Sequence, residues 1–299
     1  MHRRRGLRAA AAAGLVVAVT PVAVAAAAAD DRPVTVLHET YVDRSRPSPA
    51  SDLQAAAPDR ALETTITFPS NAKGRLPLVL LAHGSNGNPY KFNQLFETWA
   101  RAGYVVVAPL FPRSSDTGGN LVADYVEQPA DVSFVLDRVL AANRKRGSPL
   151  YGRIDPKHIG LAGLSLGGLT TYGTIFNSCC RDNRIDATIL MSGVLGPFPN
   201  GVYEFRSVPA LLVHGDADGL YPQSTAAYPQ LAPPKWFVTL HGGQHATPFE
   251  DDRSPSDDLV RTVTTAFWDR YLKGDRGGPR RIVAAVDASN GAASIQHDP

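Results

Sequence analysis

The apolar positions of the chain form short continuous runs separated by stretches with helical periodicity. From residue 76 onward, runs of four to six residues recur without polar alternation, which is typical of strands buried on both faces of a parallel sheet. The runs that predict strands are residues 76–81, 104–108, 158–162, 187–191, 210–213 and 236–240. Their spacing leaves room for one helix between most neighbouring strands.

Two of the intervening stretches carry clear helix signals. Apolar residues at i, i+3, i+7 and i+8 from Val132 predict a helix that ends near Gly147, after a run of cations. Ser254 as N-cap, with Pro255 in the first turn, predicts the start of the last long helix, which ends at Gly274. This alternation predicts an α/β fold, a doubly wound and mostly parallel sheet with helices on both faces.

The two flanks of this pattern differ. Residues 34–42 and 62–68 predict two antiparallel edge strands, whereas residues 277–299 show little periodicity and are expected to form a loose extension. There is no internal repeat and no strong linker. We therefore expect a single domain over residues 30–299, with its core at about residues 60–274.

The first 29 residues have the pattern of a secretory signal peptide. Four arginines and no acid lie within the first eight residues, an Ala/Val/Leu run follows, and small residues lead up to Ala29. An uncleaved anchor is the alternative, because the run approaches the roughly 20 residues that span a bilayer. Thr20 and Pro21 interrupt the run and favour cleavage. We expect a secreted protein, exported by the general or the twin-arginine route, with no stable membrane insertion after cleavage.

Composition and charge exclude several classes of protein. The chain has 299 residues, of which 43% are apolar and 19% charged, an ordinary globular profile. Its 30 basic and 28 acidic residues give a net charge of +2, which becomes −2 if residues 1–29 with their four arginines are removed. A nucleic-acid binder would show a clear basic excess. No nucleic-acid partner is therefore expected.

The two cysteines, Cys179 and Cys180, are adjacent. Neighbouring Cα atoms lie about 3.8 Å apart, below the usual disulfide range of about 4.4–6.8 Å. Two unpaired thiols are the favoured expectation, and a vicinal disulfide is the alternative.

The strongest chemical signal is the segment Gly163-Leu164-Ser165-Leu166-Gly167. It follows a predicted strand and opens a predicted helix, which is the context of a G-x-S-x-G nucleophile elbow. A glycine-rich packing turn is the alternative. Neither the dinucleotide nor the P-loop glycine pattern occurs, so no nucleotide cofactor is expected.

An elbow serine needs a base and an acid, and in this architecture they follow the serine in the order acid, then histidine. Of the eight histidines, only His241, His245 and His297 follow both Ser165 and a plausible acid. His241 ends a predicted strand, and His297 lies in the predicted loose extension. His245, on the loop after that strand, is the favoured base.

Two acids compete on the loop after the strand at residues 210–213. Asp218 lies where a carboxylate can reach the histidine Nδ1–H, whereas Asp216 is the expected turn-forming residue that caps local backbone. A calcium loop is excluded, because the EF-hand pattern would need an acid or amide at Leu220 and glycine at Tyr221. Asp218 is therefore the predicted acid, and no metal is expected.

The loop after the strand at residues 76–81 holds the expected second oxyanion donor. We predict that the backbone N–H groups of Ser85 and Leu166 form the oxyanion hole. His83 precedes Ser165 in the chain and is expected to be a structural histidine packed beneath the loop.

Taken together, residues 76–274 resemble the α/β-hydrolase superfamily, in particular its dienelactone hydrolase and platelet-activating-factor acetylhydrolase-like branch. The segments that carry the resemblance are His83-Gly84, residues 163–167, residues 214–218 and His245, together with residues 43–47 and 128–137. The resemblance implies Ser165 as nucleophile, His245 as base and Asp218 as orienting acid, with no cofactor. Dienelactone hydrolase itself uses a cysteine nucleophile, so its substrate is not expected here.

Bacterial cutinases and polyester hydrolases are a second resemblance. They usually place a tryptophan just after the strand that follows the elbow, and residues 192–198 contain none. About 17 residues separate Met191 from Pro209, too few for a large cap domain. We expect an open cleft for extended or bulky esters.

The predicted function is that of a secreted serine hydrolase that cleaves small-molecule or polymeric carboxylic esters through an acyl-enzyme on Ser165. A serine peptidase or amidase and a polyester hydrolase remain alternatives. A non-catalytic binding protein on the same fold is the alternative from a different class.

Overall fold

A nine-stranded sheet runs through the protein in a computed structural model that describes residues 32–299. The predicted signal peptide lies outside the described residues. In chain order the strands are β1 (Val34–Asp43), β2 (Arg60–Pro69), β3 (Leu76–Ala82), β4 (Val105–Pro109), β5 (Ile154–Leu164), β6 (Ala187–Met191), β7 (Ala210–Gly215), β8 (Lys235–Leu240) and β9 (Ala293–Asp298). The α-helices are α1 (Asn93–Arg101), α2 (Gln128–Arg144), α3 (Leu166–Phe176), α4 (Tyr221–Ala227), α5 (Asp257–Leu272) and α6 (Gly278–Asp287).

The strand order is β1-β2-β4-β3-β5-β6-β7-β8-β9. Its six central strands, β4, β3, β5, β6, β7 and β8, are parallel to one another. β4 pairs with one side of β3, and β5 pairs with the other. The sheet therefore reverses its winding at β3 and β5, and crevices for ligands form at the carboxyl ends of strands at such a point. The predicted antiparallel strands at the start of the chain are confirmed as β1 and β2.

Helices cover both faces of the sheet, as predicted. On one face, α2 and α3 pack on the alternate residues Leu78 and Leu80 of β3. On the other face, Val79 and Leu81 belong to a core cluster that includes buried residues of α1, α5 and α6. Alternate residues of a strand point to opposite faces, so a continuous apolar run serves both layers. The prediction of a doubly wound sheet is confirmed.

The expectation of a loose extension at residues 277–299 was wrong. Residues 278–287 form α6, whose buried Ile282 and Val286 join the core beside α5. Residues 293–298 form β9, which pairs antiparallel with β8 and closes that edge of the sheet. The ring of His297 stacks on Trp236 of β8, at 4.8 Å between centroids.

Two smaller expectations were also wrong. Cys179 and Cys180 form a disulfide. In the turn that holds them, the backbone N–H of Cys180 donates to the Asn177 carbonyl and that of Cys179 to its side chain. Helix α5 begins at Asp257, not just after Ser254, because the Asp257 carboxylate accepts from the Ser254 N–H and holds the preceding residues in a turn.

Within residues 32–299, no cap domain covers the carboxyl edge of the central strands. Residues 192–209 contain no helix, and their isolated bridge joins Tyr203 to Asn177. The prediction of a fold without a large cap is confirmed. Along residues 32–299, no helix combines the length and the apolar character that crossing a membrane requires.

Candidate active site

Ser165 lies in the sharp turn between β5 and α3, with φ 56° and ψ −114°. A residue other than glycine adopts this conformation only where its surroundings impose it. A Cβ on Gly163 would clash with the Gly167 carbonyl, and a Cβ on Gly167 with the Ala82 carbonyl. The two glycines therefore let the turn close against β3, and the serine side chain stands at the carboxyl edge of the sheet.

The structure brings Ser165 together with the histidine and the acid singled out in the sequence. Nε2 of His245 lies 2.7 Å from Oγ of Ser165, and Nδ1 of His245 lies in a short hydrogen bond with Oδ2 of Asp218. His245 comes from the loop after β8 and Asp218 from the loop after β7. A carboxylate only accepts, so Nδ1 of His245 carries the proton and Nε2 faces the serine hydroxyl as acceptor.

The Asp218 carboxylate is 7% exposed and accepts three hydrogen bonds. Besides His245, the donors are the Leu220 N–H to Oδ1 at 3.0 Å and Nε2 of His214 to Oδ2 at 2.7 Å. Burial alone would raise the pKa of Asp218, but these donors outweigh it and hold the pKa below its usual value. The acid is therefore ionised wherever His245 can act as a base.

His214 is a contact that the sequence analysis did not single out. It lies on β7 with no exposed surface, and its Nδ1 lies 2.7 Å from the Ser224 hydroxyl of α4. Burial lowers the pKa of His214. The sequence feature that could have pointed to this contact is the position of His214, which lies near the end of a buried strand, four residues before Asp218.

The two predicted oxyanion donors are Ser85, on the loop after β3, and Leu166, the residue after the nucleophile. A Cβ on Gly84 would lie 3.3 Å from the Ser165 Cβ, so the loop after β3 passes directly against the nucleophile. Among the hydrogen bonds of residues 32–299, neither the Ser85 nor the Leu166 N–H has an acceptor. The Leu166 N–H is in the first turn of α3, where helical N–H groups lack partners within the helix.

His83 holds this loop in place, as its predicted structural role requires. It is buried; its Nδ1 donates to the Gly84 carbonyl at 2.7 Å, and its Nε2 accepts from the Phe111 N–H at 3.0 Å. Burial lowers the pKa of His83 to about 4, so the ring is neutral at pH 7 and keeps this tautomer.

Asp216 and His241 form a second acid–histidine pair beside the first. Nδ1 of His241 lies 2.7 Å from Oδ2 of Asp216, and the Gly242 N–H donates to Oδ1. Asp216 therefore caps the loop after β8 and not its own turn, which corrects the expectation of a local cap. Among residues 32–299, the side-chain hydrogen bond of His241 is made with Asp216 and not with Ser165.

Among residues 32–299, the only three metal-ligand side chains that converge are His214, Asp218 and His245, with ligand atoms within 4.8 Å of one another. Oδ2 of Asp218 lies in hydrogen bonds with both imidazoles. Nε2 of His245 faces Ser165. The arrangement fits a hydrogen-bonded catalytic group better than a metal site.

An aromatic wall borders the site on the side of α3. Tyr125 and Phe198 make an edge-to-face contact at 5.2 Å between centroids, and both belong to one apolar cluster with Leu166, the residue after the nucleophile. The Tyr125 hydroxyl donates to the Pro197 carbonyl, which ties this wall across two loops. Phe198 is buried and Tyr125 half-buried, so Tyr125 presents the accessible edge of the wall.

A buried ion network anchors the wall. The Arg60 guanidinium, with no exposed surface, binds both carboxylate oxygens of Asp124 and also Asp131. Arg46 adds a contact of 2.7 Å to Asp131. Asp124 is the neighbour of Tyr125, so this network fixes the backbone of the wall, and it includes two of the segments that carry the family resemblance.

Comparisons with known proteins agree with this architecture. No protein-family model and no curated protein matches the sequence. The structure is similar to that of a ferulic acid esterase from Streptomyces cinnamoneus, with a TM-score of 0.67 and 22% sequence identity over 84% of this chain and 93% of that one. The protein has the α/β-hydrolase fold.

Proposed function

We propose that this protein is a serine hydrolase of carboxylic esters. The observation that carries the proposal is the continuous hydrogen-bonded series from Ser165 through His245 to Asp218 on an elbow turn. These are the parts that nucleophilic acyl transfer requires: a hydroxyl, a base that takes its proton, and an acid that fixes the tautomer of the base. The similarity in fold to an esterase supports the proposal.

In this mechanism, Oγ of Ser165 attacks the ester carbonyl while Nε2 of His245 takes the hydroxyl proton. The Asp218 carboxylate stabilises the resulting imidazolium through Nδ1. The backbone N–H groups of Ser85 and Leu166 bind the tetrahedral oxyanion. The imidazolium then protonates the leaving alcohol, and water activated by His245 releases the acid from the acyl-enzyme.

The substrates we propose are bulky esters, with an aromatic acyl group as the favoured class. The uncapped carboxyl edge gives such substrates access, and the Tyr125 edge beside Leu166 offers an aromatic contact surface. The neighbouring structure is described as a ferulic acid esterase, which agrees with this class. The branch that includes dienelactone hydrolases and platelet-activating-factor acetylhydrolases remains our proposed placement within the superfamily.

Export from the cytoplasm is a separate part of the proposal. It rests on the basic, apolar and small-residue pattern of residues 1–29. Expression of the full chain in a secreting bacterial host should release a protein whose N-terminus begins near Asp30. A product that keeps Met1 and stays in the cells would contradict export.

Ester turnover is tested with purified residues 30–299 on matched chromogenic substrates. We expect hydrolysis of p-nitrophenyl acetate, faster hydrolysis of a p-nitrophenyl ester with an aromatic acyl group, and little release from p-nitroanilides. Turnover of anilides alone would identify an amidase. Ester turnover that is unchanged in Ser165→Ala would show that the triad does not carry the reaction.

A further inference from the structure

We propose that His214 is a positioning residue that holds the Asp218 carboxylate in the orientation that His245 requires. This inference rests on the proposed function of the triad. It assigns a role to a buried imidazole that takes no part in the reaction steps themselves.

The geometry places Oδ2 of Asp218 between two imidazoles. His214 lies 2.7 Å from this oxygen through Nε2, and His245 contacts the same oxygen through Nδ1. Oδ1 accepts from the Leu220 N–H at 3.0 Å. The three donors together hold the carboxylate in one orientation, and loss of the His214 donor leaves His245 as the only one of these donors on Oδ2.

Asp218 sets the tautomer of His214, and Ser224 supplies the matching donor. An ionised carboxylate only accepts, so the proton of neutral His214 must be on Nε2, and Nδ1 must then accept. The Ser224 hydroxyl lies 2.7 Å from Nδ1 and 3.2 Å from the Gly193 carbonyl, and its single proton serves one of them at a time. When His214 is neutral, the Ser224 hydroxyl donates to Nδ1. A continuous series of hydrogen bonds then runs from Ser224 on α4 through His214 on β7 to Asp218.

Burial keeps the His214 imidazole neutral. His214 has no exposed surface, and burial lowers its pKa even though Asp218 acts in the opposite direction. The Tyr221 ring lies perpendicular to the His214 ring at 5.6 Å between centroids. His214 thus adds a directional donor to the carboxylate without adding a second positive charge beside His245.

Few charged or titratable groups near His245 can affect the pH–rate profile. Asp218 and His214 approach it from the β7 side, and the Ser165 hydroxyl from the elbow. Glu250 lies on the same loop as His245, and its carboxylate is 3.9 Å from Nζ of Lys91. Of these groups, His214 can be changed without removing a reacting group or the acid that contacts His245.

The test compares His214→Leu, which removes the donor, with His214→Gln, whose amide can donate from a similar position. In His214→Leu we expect kcat/KM on p-nitrophenyl acetate to fall about 10-fold to 100-fold, the effect of one lost hydrogen bond to a charged group. We also expect the acid limb of the pH–rate profile to move to higher pH, because a carboxylate with fewer donors interacts more strongly with the imidazolium that forms on His245.

His214→Gln should restore most of kcat/KM and return the acid limb towards that of the wild type. Ser224→Ala should shift the limb in the same direction as His214→Leu, by a smaller amount. A purely structural His214 would reduce thermal stability and activity with no movement of the acid limb, and equal losses in the Leu and Gln variants without that movement would overturn the proposal.

A second readout does not depend on turnover. NMR of labelled imidazoles in the Ser165→Ala background should show His245 titrating at a higher pH when His214→Leu is added, and not when His214→Gln is added. An unchanged titration in all three proteins overturns the role of His214. Absent ester turnover in the wild type would instead count against the proposed function.

Discussion

Two acid–histidine pairs lie side by side on the same two loops, and they differ in burial and in partners. Asp218 and His245 join the loops after β7 and β8, as do Asp216 and His241. The difference in burial lies in the acids, since the Asp218 side chain is 7% and Asp216 34% exposed, whereas His245 at 35% and His241 at 43% are similar. Residue types alone do not separate the pairs.

What separates them is what each pair contacts beyond itself. Asp218 has a second imidazole and a backbone N–H as further donors, and His245 reaches a serine. Asp216 has one further donor, the Gly242 N–H, and no serine contacts His241 within the described part of the chain. A fixed orientation comes from several directional bonds to a buried carboxylate, and the Asp216–His241 pair has neither.

The largest contrast is expected between the two histidines. His245→Ala should lower kcat on p-nitrophenyl esters by about 10⁶-fold, since loss of the base disables the whole triad. His241→Ala is the matched control and should change kcat by less than about twofold, as an exposed surface substitution does. Steady-state rates of the two variants test this, and a large loss in His241→Ala would reverse the assignment.

The two acids should differ almost as strongly. Asp218→Asn keeps the shape of the side chain but lets the wrong tautomer of His245 form, with an expected loss of about 10⁴-fold in kcat. Asp216→Asn should retain nearly full activity, because its partner does not face Ser165. Comparable losses in both variants would show that the exposed pair takes part in catalysis.

Burial of a histidine should also appear in the pH dependence of stability. The pKa of His83 is lowered to about 4, so the unfolded chain takes up a proton near pH 6.5 that the folded chain does not bind until about pH 4. Stability from His83 is therefore lost as the pH falls from 6.5 to 4, by about 3 kcal/mol.

Urea unfolding at pH 7 and pH 4.5 measures this effect in the wild type and in His83→Gln. We expect the fall in unfolding free energy to be smaller in the variant, and His241→Ala to follow the wild type. Identical pH slopes in the wild type and His83→Gln would contradict the neutral, buried state of His83.

The smallest effect is expected for the stability contribution of the exposed pair. The pKa of Asp216 is lowered chiefly by its hydrogen bond with His241. Because water screens the pair, Asp216→Asn should change the unfolding free energy by less than about 1 kcal/mol at pH 7. A loss of several kcal/mol in urea unfolding would mean that the pair supports the fold.

Features with a local sequence pattern could be predicted before the structure was known. The central strands were predicted because each is a continuous apolar run, and the elbow because glycines at fixed spacing flank Ser165. Chain order then reduced the eight histidines to three, and the place of His245 on the loop after a predicted strand favoured it over His241 and His297. These signals are local, or depend only on which edge of a parallel sheet a loop occupies.

Other features depend on contacts that no local pattern contains. His214 reaches Asp218 only because β7 and the following turn bring them together. β9 has one buried and one half-buried apolar residue, Ala293 and Ile295, so its pairing with β8 decides its conformation. In α6, Ile282 and Val286 are the two large buried residues, too short a pattern to distinguish a helix from a loop.

Covalent labelling of the nucleophile tests the central claim most directly. The mature protein is treated with diethyl p-nitrophenyl phosphate, which transfers a phosphoryl group to an activated serine, and its peptides are analysed by mass spectrometry. We predict one p-nitrophenolate released per chain, one adduct on Ser165, and no adduct in Ser165→Ala or His245→Ala. An adduct on another residue, or an unlabelled protein that still hydrolyses esters, would contradict the account.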